Sequence, residues 1–247
     1  MPLRASARLE DLDAVIFDLD GVVTDTASVH AEAWKQVFDD VLRREQGPGI
    51  RPFSDEDYRE YVDGKPRYDG ARDFLASRAL DLPFGSPADP PSARTVCGIA
   101  NRKDALFGEL LERRGGAAFP TTIELIEHLR ARGVRTAIIS ASKNCARVLE
   151  AAGISRLFDA KVDGVDAERL GLPGKPDPAV FLAAADRLGV SPARAAVVED
   201  ALAGVEAGRA GAFALVVGVD RTGHAAALRA RGADVVVADL GELVGDA

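Results

Sequence analysis

Five short runs, residues 14–17, 135–139, 195–198, 214–217 and 234–237, recur along the chain with helix-like stretches between them, and that alternation most constrains the fold. Each run is too short for a helix and largely apolar, as strands covered on both faces must be. Residues 122–131, 146–152, 179–188 and 203–210 carry the intervening helical pattern, and several of them stop at a glycine such as Gly133, Gly153 or Gly189. Strand and helix in alternation predict a parallel sheet. Right-handed crossovers would then gather the C-terminal strand ends on one side, where open α/β sheets bind ligands.

The residues at those ends are the ones with chemistry to offer. Asp18-Leu19-Asp20-Gly21 sets two carboxylates two residues apart. If the extended geometry persists through Asp20, both point to the same side, as a nucleophile and a proton carrier require. Gly21 permits a sharp turn and close backbone approach to an anion. Strand-end acids also serve as caps or solvated loop residues, so these four residues alone leave both readings open. Past the second run, Ser140 and the N–H groups of Ala141-Ser142-Lys143-Asn144 could hold phosphate oxygens, or Ser140 could cap a helix. Gly174-Lys175-Pro176-Asp177-Pro178 puts one lysine on a stiff tether, either for an anion or as a surface charge. Glu199-Asp200 ends the third run with adjacent acids that suit a hard cation such as Mg²⁺, or a helix cap.

Residues 26–115 break the alternation, since helical patterns around Val29–Trp34 and residues 103–113 dominate with no parallel-strand rhythm. This predicts a helical insertion into an α/β core made of residues 1–25 and 116–247. Residues 82–92, of which five of eleven are Gly or Pro, read as a loop within it. The 247 residues suffice for such a pair of domains. A net charge of −8 without a basic block argues against nucleic acid as a partner. Residues 1–10 are short and polar, no apolar run reaches membrane-spanning length, and Cys97 and Cys145 lack metal-ligand spacing. The expectation is a soluble cytoplasmic protein without membrane partners or disulfides; its oligomeric state is open, a monomer being sufficient.

Taken together, FDLDGVVTDT, IISASKN, GKPDP and VVEDALAG resemble the four motifs of the haloacid dehalogenase superfamily, in its order, and specifically the β-phosphoglucomutase-like branch. The resemblance covers nearly the whole chain and implies a Rossmann-like parallel-sheet core with an inserted all-helical cap. Asp20, which dehalogenases and phosphonatases of the superfamily lack, points to phosphate esters. By resemblance, Asp18 is the nucleophile that becomes an aspartyl-phosphate and Asp20 the general acid/base. Mg²⁺ is held by Asp18, the Asp20 carbonyl and Asp200, with Glu199 assisting. Ser140 and Lys175 bind the transferring phosphoryl group together with backbone near Leu19 and Ala141, and Ser142 and Asn144 belong to the substrate-facing second motif.

In the insertion, Val62-Asp63-Gly64-Lys65-Pro66-Arg67 resembles the family's cap loop, in which Arg67 would grip the distal phosphate of a sugar phosphate. Thr26 and His30 match positions near the cap hinge, Trp34 an aromatic on the same helix, and Lys103 a second basic contact. For Trp34, core packing is the first reading. The implied reaction interconverts β-glucose 1-phosphate and glucose 6-phosphate through a glucose bisphosphate. A Mg²⁺-dependent sugar-phosphate phosphatase is the alternative, and a non-catalytic phosphosugar-binding module a third. Residues 80–97 are longer than in compact members of the branch, and Asp63 and Gly70 depart from its cap loop, which leaves the sugar less firmly implied than the reaction class.

Overall fold

A computed structural model describes residues 9–244. The chain divides into two compact units, one running to Asp25 and resuming at Gly116, the other spanning Thr26–Gly115. The strands are β1 (Ala14–Asp18), β2 (Arg135–Ile139), β3 (Ala160–Val162), β4 (Ala195–Glu199), β5 (Leu215–Val219) and β6 (Val235–Val237). The helices are α1 (Ala27–Gln46), α2 (Asp55–Asp57, running into a π-helical turn at Tyr58–Val62), α3 (Arg67–Ser77), α4 (Val96–Arg114), α5 (Pro120–Ala131), α6 (Cys145–Ala151), α7 (Gly164–Leu170), α8 (Ala179–Leu188), α9 (Leu202–Ala210) and α10 (Ala225–Arg231).

In the first unit all six strands are parallel, in the order β3-β2-β1-β4-β5-β6. This is a Rossmann-like doubly wound sheet, whose order reverses beside β1. Every residue of β1 is buried, which is why its sequence is a continuous apolar run rather than an alternating one. Burying a side chain such as Phe17 contributes about 1.5–3 kcal/mol, and Phe181, Phe213, Val197 and Ala207 extend the core beneath α8 and α9.

Register sets the site. Asp18 pairs with Ile139, Phe17 pairs with Val198, and Glu199 is the next residue along β4. Asp18 and Glu199 therefore stand at one end of the sheet, with Ser140 one residue beyond the Asp18 partner. β3, absent from the expected strands, is a three-residue strand at the sheet edge whose Ala160 and Lys161 are only partly buried. So short and polar a segment carries no periodic signal.

The second unit is helical and has its own core. Along α1, Trp34, Val37, Phe38, Val41 and Leu42 form one buried stripe. Phe38 packs its ring 4.7 Å from Trp34 and 4.2 Å from Phe74. Buried Asp57 ties the unit together, accepting from Arg51 (2.8 Å), Arg78 (2.7 Å) and the Ser54 backbone N–H (3.0 Å). Residues 82–92 form a loop pinned by Asn101, whose Nδ2 donates to the carbonyls of Pro87 and Asp89. Among the described residues no helix is long and apolar enough to cross a membrane. Both cysteines are buried and free.

Candidate active site

Extended geometry ends at Asp18 and does not persist through Asp20, so alternation along a strand is not what relates the two carboxylates. The chain turns at Leu19, whose carbonyl accepts from the N–H groups of Val23 (3.0 Å) and Thr24 (2.9 Å) and whose side chain is buried. Gly21 completes the turn at φ +86°. A different device links the carboxylates: the Asp20 N–H donates to Asp18 Oδ2 at 2.9 Å, so the first acid fixes the backbone of the second. Asp20 Oδ2 in turn accepts from the Ser140 hydroxyl at 3.1 Å.

Ser140 does not cap a helix, because α6 starts at Cys145 with Asn144 as its N-cap. Its Oγ accepts from the Ser142 N–H at 3.0 Å, and Ser142 Oγ accepts from the Asn144 N–H at 3.1 Å. The expected phosphate-facing turn is thus wound tightly around two hydroxyls, with Ala141 between them and partly exposed.

Lys175, expected to bind phosphoryl oxygens, is buried and donates to Asp18 Oδ1 at 2.5 Å and to Glu199 Oε1. The other Glu199 oxygen accepts from the Ala201 N–H at 2.8 Å. Burial pushes the Asp18 carboxyl well above the usual carboxylate range, opposed by Lys175 and reinforced by the charges of Glu199 and Asp20. Burial also pulls Lys175 down, but Asp18 and Glu199 outweigh it and hold the ammonium protonated.

Asp18, Glu199 and Asp200 each offer a carboxylate oxygen, all within 4.8 Å of one another. Hard oxygen donors in excess of the lysine's single charge fit a divalent cation of the Mg²⁺ type. The Asp20 carboxylate is not part of that cluster.

The second unit brings another set together. Lys103, on α4, is only 3% exposed; its ammonium donates to His30 Nδ1 and lies 4.9 Å from the Phe107 ring centre and 5.1 Å from that of Trp34. An ammonium only donates, so Nδ1 is the acceptor. The His30 ring stacks on Phe107 at 3.9 Å. Trp34 is a core residue here, in keeping with the packing reading. Thr26 is buried at the start of α1, its carbonyl accepting from the His30 N–H at 2.9 Å. Gly64 turns the chain at φ +72° ahead of Arg67, the first residue of α3, whose Nη1 pairs with Asp104 at 2.5 Å.

Residues 12–211 match the haloacid dehalogenase-like hydrolase family. The chain belongs to that family. It is 50% identical over 242 residues to a β-phosphoglucomutase of Mycobacterium bovis, covering 95% of this chain and 92% of the relative. A β-phosphoglucomutase of Bacillus subtilis is 32% identical over 94% of this chain and 92% of its own. Among solved structures, a β-phosphoglucomutase from Clostridium difficile superposes with a TM-score of 0.75 at 27% identity, covering 94% of this chain and 93% of that one.

Some residues that shape this haloacid dehalogenase-like site escaped the sequence reading. Gly204, in α9, leaves room for Glu199: a Cβ there would come closer than 3.0 Å to its carboxylate. The glycine stood in plain view within VVEDALAG, yet only the packing of a helix against a buried acid reveals its use. Arg221 and His224, beyond the four motifs, reach the Gly21 and Asp200 carbonyls, and no local pattern marks them.

Proposed function

We propose that this protein is a Mg²⁺-dependent β-phosphoglucomutase, interconverting β-glucose 1-phosphate and glucose 6-phosphate. The observation that carries this reading is the linked Asp18–Asp20 pair, in a chain half identical to a β-phosphoglucomutase over nearly its full length. Asp18 serves as nucleophile in its ionised form, which Lys175 favours against burial and which attacks without a separate base. Its oxygen forms a bond to phosphorus as the bond from phosphorus to the sugar oxygen breaks. Asp20, steered by Ser140, gives that oxygen a proton. In the reverse sense Asp20 takes the proton of an incoming sugar hydroxyl, which accepts the phosphoryl group from Asp18. The two half-reactions with the bisphosphate turned around between them amount to isomerisation.

Asp18, Asp200 and the Asp20 carbonyl would hold Mg²⁺, with Glu199 supporting, and the bound ion would supply charge neutralisation for the transferring group. Lys175 and the Ser140 turn contribute fixed positive partners for the phosphoryl oxygens. Arg67 and the buried Lys103–His30 pair give the helical unit a phosphate grip of its own, and retaining a bisphosphate requires one. Cytoplasmic location belongs to the same proposal, in keeping with a small phosphorylated substrate.

The family's hydrolase character favours a second reading, a sugar-phosphate phosphatase. Incubation with β-glucose 1-phosphate, Mg²⁺ and a trace of bisphosphate, following glucose 6-phosphate and free phosphate together, separates them. Dominant isomerisation supports the mutase, and dominant phosphate release the phosphatase. Binding without turnover would remove both.

A further inference from the structure

The loop after β5, Asp220-Arg221-Thr222-Gly223-His224, belongs to none of the four motifs, yet it touches two of them. An acid at the strand end organises it. Asp220 Oδ1 accepts from the N–H groups of Thr222 (3.2 Å), Gly223 (2.7 Å) and His224 (2.8 Å), and Oδ2 from that of Ala225 (2.8 Å). These bonds outweigh burial and hold the Asp220 carboxyl below its ordinary value, so the loop is built around a fixed charge.

From this scaffold two side chains reach backbone carbonyls of the candidate site. Arg221 Nε donates to the Gly21 carbonyl at 2.8 Å, its guanidinium lies 3.5 Å above the Phe119 ring centre, and Nη1 meets Asp239 Oδ2 at 3.4 Å. His224 Nε2 lies 3.2 Å from the Asp200 carbonyl. A carbonyl only accepts, so Nε2 carries the hydrogen, and Nδ1 faces Thr222 Oγ1 at 2.8 Å and Asp220 Oδ1 at 3.1 Å.

The two carbonyls belong to residues that touch each other. A Cβ on Gly21 would come closer than 3.0 Å to Asp200 Oδ2, so the turn after Asp20 and the acidic end of β4 meet at this point. Holding both backbones fixes how far the Asp18–Asp20 turn stands from the Asp200 carboxylate. Stability alone is a poor account of the arginine. Its Nη2 is buried without a hydrogen-bond partner among the described residues, an arrangement that costs free energy.

We propose that Arg221 and His224 are positioning residues for the phosphoryl-transfer centre, clamping the Gly21 and Asp200 carbonyls so that the carboxylate cluster keeps the spacing a divalent cation needs. The proposal rests on reading that cluster as a cation-dependent phosphoryl-transfer site, but not on the identity of the sugar.

The test uses the full chain and the variants Arg221→Ala, Arg221→Lys, His224→Ala and His224→Gln. Calorimetric titration with Mg²⁺ alone, thermal midpoints, and kcat and KM for p-nitrophenyl phosphate are measured on each. Each alanine variant should lose about 10–100-fold in Mg²⁺ affinity or in kcat, the usual effect of removing a partner that orients a metal ligand. KM for the ester should hardly move, because the binding contacts stay. His224→Gln, which can still present an N–H toward Asp200, and Arg221→Lys should recover part of the loss. Wild-type affinity and kcat in both alanine variants would overturn the proposal. So would losses that follow the thermal midpoint alone, with no recovery by glutamine or lysine. A parent protein that fails to isomerise β-glucose 1-phosphate, yet binds Mg²⁺, sinks the mutase reading and leaves this one to be decided by calorimetry. A parent that binds no Mg²⁺ removes both.

Discussion

Replacing Lys175 by methionine tests how the carboxylate cluster is held together. The ammonium lies 2.5 Å from Asp18 and also bonds Glu199, and the three side chains are 2%, 8% and 0% exposed. Methionine keeps most of the volume and removes the charge, leaving two buried carboxylates facing each other without a counterion. Deleting one partner of a buried pair costs about 3–5 kcal/mol. At about 2–4 °C per kcal/mol for a unit of this size, the midpoint of the sheet-bearing unit should fall by roughly 6–20 °C near neutral pH. The pH dependence has a definite sign. Asp18 is already held above its ordinary value, so its contribution to stability is fully present below about pH 4 and is lost as pH rises through the folded value. Without the ammonium that folded value climbs further, so the variant's deficit should shrink on acidification as Asp18 takes up a proton. Mg²⁺, binding only the folded cluster, should restore part of the loss. Differential scanning calorimetry from pH 5 to pH 8, with and without Mg²⁺, reads all three effects. A midpoint within about 2 °C of wild type near neutrality, or a deficit independent of pH, would refute the view that this ammonium neutralises the cluster.

Asp20→Ala should slow phosphoryl transfer most for esters with poor leaving groups, and equal losses across a leaving-group series would count against its role as proton donor. Gly204→Ala should push Glu199 off its position and lower Mg²⁺ affinity or kcat by about 10–100-fold, measured by calorimetry and steady-state kinetics; wild-type values would mean that α9 yields without moving the acid. Arg67→Ala should cut isomerisation of β-glucose 1-phosphate by about 1.5–3 kcal/mol in activation free energy while sparing p-nitrophenyl phosphate; equal loss on both substrates would move the phosphatase reading ahead. Asp104→Asn, by releasing Arg67 from its partner, should lower KM for the sugar phosphate, and a raised KM would show that Asp104 orients the arginine instead.

The sequence disclosed the first unit more completely than the second because its chemistry sits at strand ends. Apolar runs announce β1, β2, β4, β5 and β6, and the residue after each run is the one to inspect; Asp18, Ser140 and Glu199 stand at such positions. Spacing could not tell how Asp18 meets Asp20, since a backbone N–H bonded to a carboxylate and a continued strand both place them close. Nor could it tell that Lys175 would have two carboxylates as partners, because those partners lie on strands far away in sequence. Lys103 reads from the sequence as a second basic contact, and only the packing of α4 against α1 shows that it is enclosed between aromatic rings. β3 and the loop after β5 escaped for a shared reason: their roles come from neighbours in space, and their own residues keep no period.

The interruption of the sheet-bearing unit by Thr26–Gly115 has a consequence in time. β1 is made first, yet Ala14 pairs with Arg135 and Ala195, so this fully buried strand waits for partners synthesised long after it. The inserted helices have a core of their own around Phe38 and Phe74, built from residues of the insertion. At about 5–20 residues per second on the ribosome, they have seconds in which to fold before the first strand finds a neighbour. The acidic cluster is therefore among the last features to exist, complete only once β4 has emerged and Glu199 and Asp200 have joined Asp18. A released chain ending at Arg132 should show proteolytic protection over 26–115 while residues 14–18 remain cleavable. Protection of both segments at that length would mean that β1 finds an early shelter.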